Sequence, residues 1–79
     1  MKYYFALTEK AFSSIATIQA ETDEELTLKS MEALSEHYDE TIEIKPLSMN
    51  DYINNDGGAF HIEMNNYDCE IQICQTWLY

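Results

Sequence analysis

Between positions 23 and 38 the apolar residues return every three or four places, while on either side of that stretch they return every two. This change of period constrains the fold more than any other feature, because a helix turns every 3.6 residues and a strand alternates at each one. Leu26, Met31, Ala33, Leu34 and Tyr38 make the helical stripe, with Glu25, Lys29, Glu32 and Glu36 opposite. Thr22-Asp23-Glu24-Glu25 has the form of a capping box. In it Thr22 is the N-cap and Glu25 returns to the N-cap N–H. The acids of that first turn also suit the positive end of a helix dipole. The spacing predicts one amphipathic helix from Asp23 to about Tyr38.

The flanks alternate. Tyr3, Phe5 and Leu7 oppose Tyr4, Ala6 and Thr8, which predicts a half-buried strand over residues 2–8. Glu9-Lys10 suits a turn, and a second strand follows over residues 11–20. Phe12, Ile15 and Ile18 do not share one parity there, so a bulge near Ser13-Ser14 or burial on both faces is expected. After the helix, Ile42 and Ile44 alternate with Glu43 and Lys45 until Pro46 ends the run or marks an edge strand. Ser48-Met49-Asn50-Asp51 resembles a second N-cap, with a helical turn from Met49 to Ile53. Asn54-Asn55-Asp56-Gly57-Gly58 is a turn. A final hairpin sets Phe60, Ile62 and Met64, then Cys69, Ile71, Ile73 and Trp77, on one side. His61, Glu63, Glu70, Gln72, Cys74 and Thr76 take the other.

The expected fold is therefore α+β, in the order β-β-α-β-β-β with a short helical turn after the third strand. About five strands form an antiparallel sheet, and the helix packs on one face. With 79 residues the chain has room for a single domain, 1–79, around one core.

Charge limits what such a domain can bind. Fifteen Asp and Glu stand against four Lys, a net charge of −11. Phosphates repel such a surface, so direct nucleic-acid binding is excluded and a basic partner is favoured. Glu21, Glu24, Glu25, Glu32, Glu36, Asp39, Glu40 and Glu43 are the candidate partner-binding residues, gathered on and beside the helix. Successive helical carboxylates three or four residues apart advance about 4.5–6 Å along the axis, of the same order as the roughly 3.4 Å per nucleotide of one nucleic-acid strand. A second group, Asp51, Asp56, Glu63, Asp68 and Glu70, lies in the C-terminal half. Tyr4, Tyr52, Tyr67 and Tyr79 exceed what one small core can take. They are expected at the surface, as anchors for Arg and Lys or as a homodimer face.

No motif for catalysis, metal or cofactor accompanies these features. His37 and His61 have no ligand spacing with the cysteines, and C-x-x-C and H-E-x-x-H are absent. Gly57-Gly58 is followed by no lysine and is ringed by acids, so it is no phosphate cradle. Cys69 and Cys74 fall five positions apart in one expected strand, on opposite faces and roughly 17 Å apart, too far to bridge. They are read as small hydrophobes. No signal peptide or membrane-length apolar run is visible, so a reduced cytoplasm is the expected compartment.

In size, acidity and strand-strand-helix-strand plan, the chain resembles the small anti-CRISPR and anti-restriction proteins of phages and mobile elements. The stretch Ile15-Ala16-Thr17-Ile18-Gln19-Ala20-Glu21-Thr22-Asp23-Glu24-Glu25-Leu26 is similar to their strand-into-capped-helix module. That resemblance implies a non-catalytic inhibitor docking on the basic nucleic-acid-binding surface of a host effector, in some members by imitating nucleic acid. The alternative is a small regulatory or immunity-like interaction module, homodimeric in one version.

Overall fold

The computed structural model describes residues 2–9, 14–53, 58–63 and 68–76. Four strands, β1 (Tyr3–Glu9), β2 (Ser14–Ala20), β3 (Gly58–Glu63) and β4 (Asp68–Thr76), form one antiparallel sheet in the order β2-β1-β4-β3. The helix α1 (Asp23–Tyr38) packs against β2 on one face of that sheet. This is the α+β architecture that the change of period predicts. The expected turns at Glu9-Lys10 and over residues 54–58, and the placing of Phe12, Met64 and Trp77, fall wholly or partly outside the described residues.

Alternation sorts the strands as expected. Phe5, Leu7, Ile18, Ala20, Ile62, Cys69, Ile71 and Ile73 are buried beneath the helix side, and Thr17, Ala59, His61 and Gln72 are exposed on the other. The register of β1 with β2 passes from Leu7↔Ala16 to Thr8↔Ser14, leaving Ile15 as the extra residue of a bulge. That single insertion resolves the parity conflict, since a bulged residue leaves the strict alternation and Ile15 packs against the core.

The helix begins as its capping box requires, with one shift. Thr22 Oγ1 accepts from the Glu25 N–H at 3.1 Å, but Glu25 Oε1 accepts from the N–H of Glu21 at 2.8 Å, one residue before the expected donor. At the other end Asp39 takes the left-handed conformation, φ 55° and ψ 42°, a site where Asp is among the tolerated non-glycine residues. The Ser35 carbonyl accepts from Asp39 and Glu40 and reverses the chain. The buried line of α1 is Leu26, Ser30 and Leu34, so the stripe centres one step away from the expected Met31, which is half-buried.

The third strand expected over residues 41–45 is absent from the ladder. Its alternation is real, with Ile42 buried, Ile44 half-buried, and Glu43 and Lys45 exposed. Its hydrogen bonds go elsewhere. The N–H groups of Ile42, Leu47 and Met49 donate to Ser35 Oγ (3.0 Å), Thr27 Oγ1 (2.9 Å) and Asp23 Oδ1 (2.8 Å). Ser35 and Thr27 are about 12 Å apart along the helix axis and Thr27 and Asp23 about 6 Å, spans crossed by five and two residues. The segment therefore runs antiparallel to α1, advancing about 2.4 Å per residue over the first span and about 3 Å over the second, against roughly 3.3–3.6 Å for a fully extended chain. Pro46, which has no N–H to give, is exposed between two of these bonds.

Beyond it a 3-10 turn, Met49–Asp51, stands at the second predicted N-cap. Ser48 makes no side-chain cap there; the N–H of Asp51, one of the two such a cap would take, donates to the Ser48 carbonyl at 3.1 Å. Ile42, Leu47, Met49 and Tyr52 then complete the core.

Thr27→Val keeps the shape of the side chain and removes the acceptor for Leu47. A half-buried N–H left unpaired costs about 1–3 kcal/mol, so Tm is expected to fall and the Leu47 amide to exchange faster, as read by hydrogen exchange.

Candidate functional site: an acidic helix face and its surroundings

At 3.6 residues per turn Glu32 and Glu36 lie within about 20° of Glu25 around the helix, so these three form one line. Glu32 and Glu36 are exposed and Glu25 is half-buried by its cap. Lys29 stands between them in sequence, and its ammonium is shared between β2 and the Glu25 end of the line. Lys29 Nζ donates to the Gln19 carbonyl of β2 at 2.8 Å and lies 3.9 Å from Glu25 Oε1. That pair is exposed and contributes little to stability.

The eight candidate residues do not all share this line. Glu21 adjoins it through its N–H bond to Glu25, and Asp39 and Glu40 follow the helix end. Glu24 is about 100° round from Glu25 and faces the flank where Leu28 and Pro46 lie. Glu43 belongs to a different surface. With Ile44, Lys45, Leu47, Tyr52, Phe60, His61 and Ile62 it lines a groove of about 510 Å³ between the returning segment and β3. The structure thus gathers Glu25, Glu32 and Glu36 on one side of the helix, with Glu21, Asp39 and Glu40 at its ends, and sets Glu24 and Glu43 on other surfaces. Of the second acidic group, Asp51 is exposed in the 3-10 turn, Glu70 is half-buried on β4, and Asp56 lies outside the described residues.

Tyr52 corrects the expectation of a surface tyrosine, as it is 8% exposed. Its ring meets Phe5 edge-on at 6.2 Å and 76°, and lies over Gly58, where an added Cβ would come within 2.9 Å of Cε1. A glycine at the start of β3 is what makes room for the ring. Tyr4 is half-buried, and Tyr67 and Tyr79 are outside the described residues.

Cys69 is buried and Cys74 half-buried, neither in a disulfide. Among the described residues no three His, Cys, Asp or Glu side chains are grouped to hold a metal ion. No helix among them is long and apolar enough to cross a membrane. The polar clamps Asp23, Thr27 and Ser35 escaped the sequence reading. The signal for them is their ridge, with steps of four and eight residues along the border of the apolar stripe.

Burial raises the Tyr52 hydroxyl above the ordinary tyrosine range, and the neighbouring Asp51 carboxylate adds to the effect. The folded state therefore holds this proton more tightly than the unfolded chain. Its contribution to stability is complete below pH of about 10 and is lost as pH rises through the folded value. Tyr52→Phe carries no such group, so alkaline melts should show it losing stability less steeply than the parent above that pH. Equal slopes would remove Tyr52 from the account.

Comparison with family models, with curated proteins and with solved structures gave no match, so geometry alone carries the argument about function.

Proposed function

We propose that this chain is a non-catalytic acidic inhibitor that binds the basic nucleic-acid-binding surface of a host defence complex, as anti-CRISPR-type proteins do. The observation that carries the reading is the line of Glu25, Glu32 and Glu36 on one side of α1, extended by Glu21, Asp39 and Glu40. Carboxylates fixed on a helix add their fields and draw a cationic groove toward them at long range. Steps of about 6 and 10 Å along the axis let successive Lys and Arg side chains engage them as they would engage phosphates. The remaining excess charge repels nucleic acid itself, which keeps the inhibitor off the partner's own ligand. Such a protein works in the host cytoplasm.

The experiment is a binding titration against guide-loaded CRISPR effector complexes at rising salt. Affinity should fall steadily with ionic strength. The triple variant E25Q/E32Q/E36Q should bind at least about tenfold more weakly at low salt, as losing close charge pairs implies. Binding that ignores ionic strength would contradict a charge-driven mode.

A second reading draws on the groove between the returning segment and β3. There β3 ends the sheet order and Ile44, Phe60 and Ile62 stand beside the gap. A regulatory interaction module would use that edge, with another protein or a second copy, and would be indifferent to the triple variant.

A further inference from the structure

Leu28, on α1, is the one exposed large hydrophobic among the described residues, with 54% of its surface open. A single exposed leucine is ordinary on any protein surface. Its surroundings distinguish this one. Pro46 and Leu47 of the returning segment come up beside it, and with Asp23, Glu24 and Thr27 they line a hollow of about 280 Å³. Leu28, Pro46 and Leu47 supply apolar surface, and Asp23 and Glu24 supply carboxyl groups at the edge.

The hollow is also fixed in shape. The bonds from the Leu47 N–H to Thr27 Oγ1 and from the Met49 N–H to Asp23 Oδ1 hold its two sides together. A site already rigid loses less entropy when it is filled. Glu24 and Glu32 stand four residues before and after Leu28, about 40° to either side of it and about 6 Å away along the axis. An apolar centre with carboxylates before and after it therefore interrupts the acidic surface.

We propose that this hollow anchors the acidic face by taking one apolar side chain of a basic protein partner. Lys or Arg on either side of that residue reach Glu24 and Glu32. Its volume lies just below the roughly 300–1,000 Å³ of small-molecule sites, which suits one side chain better than a ligand. Charge selects the occupant. A second copy brings another net charge of −11, and phosphates are repelled, whereas an apolar residue flanked by cations matches both parts of the site. The proposal rests on the acidic face being the binding surface, and it adds what charge cannot supply. Desolvated apolar anchors hold a complex together, and rim charges mainly speed its formation.

The test uses two synthetic peptides with Lys and Arg on both sides of a central residue, Leu in one and Ser in the other. Each is titrated into the full chain at several salt concentrations, with Leu28→Ser and E24Q/E32Q as variants whose helix content is checked by circular dichroism. The Leu peptide should bind the parent about tenfold more tightly, the scale of burying one aliphatic side chain. Leu28→Ser should abolish that advantage and leave the salt slope unchanged. E24Q/E32Q should flatten the slope and keep the advantage. Equal, salt-dependent binding of both peptides would overturn the anchor while leaving the basic-partner reading intact. An advantage that survives Leu28→Ser would overturn the anchor as well. Failure of both peptides to bind at low salt would overturn the anchor and the basic-partner reading together.

Discussion

Three backbone N–H groups with no strand to pair with decide how this molecule closes. Ile42, Leu47 and Met49 point their side chains into the core, so their N–H groups cannot all rely on water. Ser35, Thr27 and Asp23 accept them from a single helix. The helix makes its main sheet contacts with β2, and the tethered segment lies beside β3, with Tyr52 over Gly58 and edge-on to Phe5. The clamps thus stand in for a second helix. In a chain of 79 residues this is a compact way to bury a sheet face.

The same arrangement determines where charge can go. A surplus of eleven negative charges must stay in water, and the helix has only its outward side and ends to give them. The clamping residues are short and occupied with backbone groups, and Glu25, Glu32 and Glu36 fall on the opposite flank, while Glu24 stands beside the clamps. Lys29 donates to a carbonyl of β2 and pairs with Glu25 at the start of that line, leaving Glu32 and Glu36 to extend it. Ser30 is the exception to this economy of polar groups. Its hydroxyl is fully buried and finds no partner among the described residues.

Much of the fold was legible in the sequence. The capping residues and the 3.6-residue period placed α1 within its observed bounds, and alternation placed β1, β2 and the last hairpin. The parity conflict among Phe12, Ile15 and Ile18 left a bulge near Ser13-Ser14 or burial on both faces open, and the register shift next to Ser14 decides for the bulge. Residues 41–45 alternate without joining the sheet, because alternation reports which side chains are buried and says nothing about where the backbone hydrogen bonds go. The clamps are short polar residues whose partners lie up to 26 positions away, a pairing no local pattern contains. Tyr52 was misplaced for a related reason: the space it occupies is made by Gly58, and such long-range fits leave no periodic trace. Of the candidate site, the helical acids could be assigned to a face from spacing alone. Glu43 could not, since its side depends on the path of the irregular segment.

The central claim is that the helical carboxylates are close enough together for their fields to add. Thermal melts between about 10 mM and about 150 mM salt, which shrink the Debye length from roughly 30 Å to roughly 8 Å, test it directly. The parent should gain stability as salt rises, because screening relieves like-charge repulsion on the face. E32Q/E36Q should gain markedly less, and E9Q/E43Q, which removes two charges from separate places, should gain nearly as much as the parent. Three parallel curves would show that the charge is spread evenly and would contradict the account.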